Sequence, residues 1–320
     1  TPPNSEYYHT DPEYNVNKYR NFLNTHYLMA EAFPHTNVNM GPGSLAVYLG
    51  GEPDFAPSTV WYKHCIKDWG TWKFKFDPNN HWFKRHIDAI KKQVELSKGE
   101  FIVGIPDLCE GVDILSAMRD PQEFCYDLMD NPDIIKKHLS DIAPIYHRYF
   151  DAFHEIVKDD EGNCYTCFEV WGKGKTVKLQ CDFSALMSPD QFDEFVVPHL
   201  KEQAKHYDRR IYHLDGPDAT RHLDSVLGIE EIDALQWSPG VGHELVGDEK
   251  WFPMYDKARD CNKSLWLWLY GYPSNNEMIA AADRLVKRYG DKGIYIIFQT
   301  MSKPEADALM KHAEKDWSSK

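Results

Sequence analysis

The chain has 320 residues, 42% apolar and 27% charged, proportions ordinary for a soluble globular protein. Fifty acidic side chains against 36 basic ones give a formal net charge of −14 with no Lys/Arg-rich tract, which argues against a protein that tracks a nucleic-acid backbone. The length admits one large α/β barrel or two smaller domains. Eighteen tyrosines, sixteen phenylalanines and ten tryptophans leave two readings, a thick aromatic core or an aromatic-lined pocket. Seven scattered cysteines, an odd number, point to a reduced, cytoplasmic setting. No signal peptide or long charge-free apolar run occurs, and the start at Thr1 without methionine leaves room for a leader before it.

In chain order, Thr1–Asn17 reads as a polar, irregular lead-in and Val16–Phe33 as a helix, so residues 1–36 form an N-terminal lead-in and 37–320 the main domain. Ser44–Leu49, closed by Gly50-Gly51, reads as a first barrel strand. Trp61–Phe76 reads as a half-buried strand or hairpin, with Trp72, Phe74 and Phe76 separated by lysines. Asn79–Leu96 predicts a helix capped by Asn79 or Asn80, because Phe83, Ile87, Ile90 and Val94 recur at helical spacing. Phe101–Pro106 reads as a buried strand ending at Asp107, Cys109 and Glu110. Asp107 and Glu110 either line a strand-end site or cap the next helix. Helices beginning near Gly111, Asp120 and Asn131 follow, the last reaching Ile156 with Pro144 as a kink or break.

Cys164–Trp171 alternates as a strand and sets Glu169 among apolar neighbours. A buried carboxylate there suits proton donation; a peripheral strand would put it in solvent. Cys164 and Cys167 fall on opposite faces of such a strand, which fits packing better than a metal site. Gly172–Lys175 lacks the frame of a P-loop and reads as a connector. Three apolar runs ending in polar residues come next: Val177–Asp182, Arg210–Asp215 and Ile232–Pro239, separated by helical stretches. A strand, a helix and a strand at this spacing is the pattern of parallel α/β units, whose ligands meet the carboxyl ends of the strands. There the sequence places Cys181, Asp182, His213, Asp215, Gln236 and Trp237. The strands Ser264–Tyr270 and Gly293–Phe298 complete about eight candidates interleaved with helices. The expected fold is α/β: a single distorted (β/α)8 TIM barrel with additional N-terminal helices.

The segment Cys181–His199, with Asp182 at a strand end and Ser188-Pro189, Phe192, Glu194-Phe195 and Pro198 opening a helix, resembles the uroporphyrinogen decarboxylase superfamily. His213-Leu-Asp-Gly216 and the Gly293–Phe298 strand add to the likeness, which runs from about Phe101 to the C-terminus. The resemblance implies a (β/α)8 barrel with its site in the C-terminal mouth. It also implies one of two activities: decarboxylation of a tetrapyrrole, or methyl transfer linked to a corrinoid protein or coenzyme M with a thiolate-activating zinc. In the zinc pattern His213 takes the histidine position, Asp215 stands where a cysteine is expected, and the later cysteine maps near Gln299. A zinc site here is therefore remodelled with oxygen ligands or missing. Ser44–Pro57 offers no arginine or lysine for a substrate bearing many carboxylates, which speaks against a porphyrinogen.

Asp182 is read as a cap or as a carboxylate that orients substrate. His213 and Asp215, two apart on a strand, share a side and can hold one divalent ion, form a hydrogen-bonded site without metal, or fill a barrel layer. Asp182, His213, Asp215 and Glu169 are the expected catalytic set. Asp107, Glu110, Ser184, Gln236, Trp237, Tyr270 and Gln299 are the expected substrate contacts. The preferred activity is methyl transfer with a small-molecule substrate and a corrinoid protein as partner. The alternatives are a cofactor-free decarboxylase acting on a tetrapyrrole or other ring-bearing acid, and a non-catalytic carrier-binding barrel. No nucleic acid and no membrane is expected as partner.

Overall fold

The computed structural model describes residues 3–317; Thr1, where the sequence leaves room for a leader, lies outside them. The chain divides into two compact units, Thr1–His26 with Phe33–Arg209, and Tyr27–Ala32 with Arg210–Lys320.

The first unit opens with α1 (Ser5–Thr10) and α2 (Pro12–Thr25). Asn4 Oδ1 accepts from Tyr7 N–H and Asp11 Oδ1 from Tyr14 N–H, so the polar punctuation expected to be irregular consists of helix caps. Next come β1 (His35–Thr36) and the single-turn α3 (Leu45–Tyr48). The expected strand over Ser44–Leu49 is thus helical, with all four α3 side chains buried: a short, wholly apolar run fits either element. β2 (Glu52–Phe55) and β3 (Val60–Lys63) form an antiparallel hairpin. It ends before Trp72, Phe74 and Phe76, which lie in irregular chain, Phe76 4.6 Å from the Tyr149 ring.

α4 (His81–Ser97) starts where expected, with Asn80 Oδ1 accepting from Phe83 N–H. β4 (Ile102–Val103) pairs in parallel with β1 and is two residues long, shorter than the predicted strand. α5 (Val112–Arg119), α6 (Pro121–Asp130) and α7 (Pro132–Val157) follow, and α7 passes through Pro144 without ending. β5 (Cys164–Thr166) and β6 (Val170–Gly172) make a second antiparallel hairpin. Then come β7 (Thr176–Gln180), a 3₁₀ turn over Asp182–Leu186, α8 (Pro189–Phe195) with a Ser188/Gln191 capping box, and α9 (Val197–Ala204).

The second unit holds the regular alternation: β8 (Arg209–Asp215), α10 (Leu223–Leu227), β9 (Ala234–Ser238), α11 (Phe252–Asp260), β10 (Ser264–Leu269), α12 (Asn275–Tyr289), β11 (Ile294–Phe298) and α13 (Lys303–Asp316). β8, β9, β10 and β11 are parallel neighbours in chain order, the arrangement that helical crossovers produce. Their register sorts the side chains by face. Leu214, Leu235, Trp237, Leu267 and Leu269 point to the helix side, where Trp237 packs 4.9 Å from Trp251, just before α11. The opposite face carries the row His213–Gln236–Trp266–Tyr295, matched residue by residue across four strands. The protein is therefore α/β, with a parallel sheet flanked by helices. Among the described residues no helix is long and apolar enough to cross a membrane.

Candidate functional site

At the carboxyl end of β8, strand alternation turns His213 and Asp215 to the same side, as their spacing predicts. In register, His213 stands opposite Gln236 and Asp215 opposite Ser238 of β9. His213 Nδ1 is hydrogen-bonded to Gln236 Oε1. An amide oxygen can only accept, so Nδ1 carries a proton, and in the neutral ring the lone pair is on Nε2. The amide cannot simply rotate, because Gln236 Nε2 donates to the Trp237 carbonyl at 3.0 Å. Gln236 is buried, His213 half-buried and Asp215 exposed. Gly216 follows at φ +79°, a left-handed conformation suited to glycine, and its N–H donates to the Ser238 carbonyl at 2.8 Å. The turn that ends β8 is thereby fixed to β9.

Besides Gln236, three expected contacts lie in this unit with different fates. Trp237, expected to wall a ligand, is next to Gln236 and so faces the other way, buried among the helices. Gln299, expected at a metal-ligand position, clamps a loop: Oε1 accepts from Tyr272 N–H at 3.2 Å, and Nε2 donates to Asn275 Oδ1 at 3.3 Å. Tyr270 is exposed at the end of β10, on the His213 side by strand parity. It stacks 4.5 Å from Trp268, a residue the sequence reading missed although it shares parity with Tyr270.

In the first unit, Asp182 opens the turn after β7, exposed, and accepts from Gln180 Nε2 at 2.8 Å. Asp113 caps this turn, its two oxygens accepting from the N–H groups of Asp182 and Phe183. Ser184 is buried within the turn. Glu169 is not part of a strand. It occupies the turn of the β5–β6 hairpin at φ +56°, beside Phe168 at +66°, and is exposed. The burial that would suit it to proton donation is absent. Cys164 Sγ lies near the Gly174 and Thr176 carbonyls, while Cys167 Sγ lies 3.8 Å from Asp107 Oδ1.

Asp107 and Glu110 are pairing partners rather than caps. Asp107 Oδ1 holds Lys178 Nζ at 2.5 Å, and the Lys178 side chain is 2% exposed. Lys178 also donates to Gln180 Oε1 and lies 3.9 Å from Cys109 Sγ. Burial alone would lower the lysine's pKa, yet the charge of Asp107 holds it well above its usual range. Burial likewise pushes the Cys109 and Cys167 thiols up, so neither is a thiolate nucleophile. Glu110, also buried, pairs with His199 Nε2. Burial opposes a charged His199, but the Glu110 carboxylate raises its pKa nonetheless. Lys178, Gln180 and His199 were not singled out from the sequence. Alternation along Val177–Asp182 carried the signal, since residues 178, 180 and 182 share one face.

Neither a protein-family model nor a curated protein matches the chain. The donor chemistry of His213 and Asp215 fits a divalent cation held by nitrogen and oxygen. It does not fit a thiolate-rich zinc site: Cys261 is the one cysteine of the second unit, and it follows α11 at the opposite end of the strands from His213.

Proposed function

We propose that the chain is a (β/α)8-barrel enzyme on the methyltransferase side of the uroporphyrinogen decarboxylase superfamily, with one divalent cation held by His213 and Asp215. These residues offer one imidazole nitrogen and one carboxylate. The observation that carries the reading is the tautomer of His213. Donation from Nδ1 to a buried amide that is itself held is how metal-binding histidines present Nε2, and Asp215 stands on the same side two residues on. When bound, the cation would lower the pKa of an acceptor hydroxyl or thiol, making more of it the nucleophile for a methyl group. Gln236 fixes the imidazole, and the methyl donor is a small carrier or a corrinoid protein.

Elemental analysis of protein purified without added metal tests this reading. About one divalent ion per chain is expected, lost in His213→Ala and reduced in Asp215→Asn. A metal-free wild type, or unchanged content in His213→Ala, would overturn it.

A second reading has its own support. Lys178, Gln180 and Asp182 form a hydrogen-bonded chain from a buried ammonium to an exposed carboxylate, which is the group a cofactor-free decarboxylase would use. Asp182 would then stabilise a protonated ring. A melting shift of metal-free protein with a tetrapyrrole, lost in Asp182→Asn, would favour it.

A further inference from the structure

Trp268 and Tyr270 are each 45% exposed, their rings tilted by 34° at 4.5 Å. Large exposed aromatics lose stabilisation that burial would supply, and these two are held in place. Tyr270 is followed by Gly271 at φ +80°, and the next residue, Tyr272, is fixed at both ends. Its N–H donates to Gln299 Oε1, and its hydroxyl accepts from Gly247 N–H at 3.1 Å. Gln299 N–H in turn donates to the Leu269 carbonyl at 2.9 Å. The ring pair therefore sits on backbone clamped from two sides.

Register relates the pair to the cation ligands. Gln236 is the partner of both His213 and Trp266, and Asp215 is the partner of Ser238. Continuing that pairing by two residues sets Trp268 in the row of Ser238 and Asp215, on the same face. Two strand spacings separate Trp268 from Asp215, about 10 Å.

We propose that Trp268 and Tyr270 form the subsite for a planar aromatic ring of the substrate, whose reacting group lies about 10 Å away at His213 and Asp215. The proposal rests on the metal reading for the second of these positions. It narrows the substrate class to molecules carrying an aromatic ring on a short linker. Stacking explains why two adjacent aromatics are rigidly displayed on the side of the sheet opposite the helices.

Two titrations of the zinc-loaded full chain test it, with acetohydroxamate, which chelates and has no ring, and with 4-phenylbutanohydroxamate, whose phenyl reaches about 10 Å from the chelated ion. The phenyl compound is expected to bind about tenfold more tightly. Trp268→Ala should remove that gain and leave acetohydroxamate affinity unchanged, with Tyr270→Ala giving a smaller loss. Equal affinities in the wild type, or a gain that survives in Trp268→Ala, would overturn the subsite. Should neither hydroxamate bind, the metal reading falls by itself, and naphthalene-2-methanol decides the subsite. Saturable fluorescence quenching that disappears in Trp268→Ala supports it, and its absence in the wild type overturns it.

Discussion

Each unit hydrogen-bonds a glutamine to a cationic or ionisable side chain with an aspartate close by in sequence, and the two arrangements differ in what they leave to solvent. In the first unit, Gln180 accepts from Lys178 and donates to Asp182, while Asp107 neutralises the lysine at 2.5 Å. The ammonium is enclosed, and its interactions are those that a buried charge requires. In the second unit, Gln236 is the buried partner, and it props a half-buried histidine beside an exposed aspartate. One arrangement spends its polar groups on holding a charge inside; the other spends a buried amide on orienting a ring that reaches the surface. Substitution should therefore cost stability in the first case and ligand affinity in the second.

The largest effect should come from Lys178→Met, which leaves Asp107 without its ammonium. Loss of one partner of a buried pair costs about 3–5 kcal/mol, and the lower end applies because Asp107 keeps some contact with water. A urea midpoint shifted down at unchanged slope would show it. Lys178→Met with Asp107→Leu should recover most of the loss, since no charge is then stranded. A double variant no more stable than the single one would mean that the pair is more than mutual neutralisation.

Gln236→Leu should separate the two regions more finely. It keeps the side-chain volume and removes the acceptor that fixes His213 Nδ1–H. Under the metal reading, divalent-ion affinity should fall about 10- to 100-fold, the usual cost of losing such a partner. The urea midpoint should move far less than in Lys178→Met. Calorimetric titration of metal-stripped protein measures the first, and unchanged affinity would mean that the amide has only a packing role.

The sequence made the second unit legible because its strands are long, separated by well-capped helices and bounded by glycines; β8 and the His213/Asp215 pair follow from strand parity alone. Parity also exposes the error at Trp237. Adjacent to Gln236, it cannot face the same way, because alternation along β9 outweighs its position near the strand end. Glu169 failed for another reason: two non-glycine residues at positive φ end β5, a turn without the usual Gly or Asn signal. The buried Lys178 is hidden because Val177–Asp182 reads as an apolar run as readily as an alternation. Pairing with Asp107, about seventy residues earlier, is set by tertiary contact, which local pattern does not carry.

The smallest expected effect is a pH dependence, and it sharpens the comparison by showing which histidines belong to the fold. Burial lowers His86 to about 4; its Nε2–H donates to the Val38 carbonyl at 3.0 Å and its Nδ1 accepts from the Tyr48 hydroxyl. Burial, with His206 stacked alongside, lowers His147 to about 4 as well. Below the ordinary histidine range the unfolded chain takes up these protons and the folded chain does not. Stability should therefore fall as pH drops from about 6.5 towards 4. His199 has the opposite sign. Its pKa is raised by Glu110 against burial, so its contribution is complete below the ordinary histidine range and disappears as pH climbs through the raised value. Urea midpoints across pH 4–9 should thus show two limbs. His147→Gln should flatten the acid limb and His199→Gln the alkaline one.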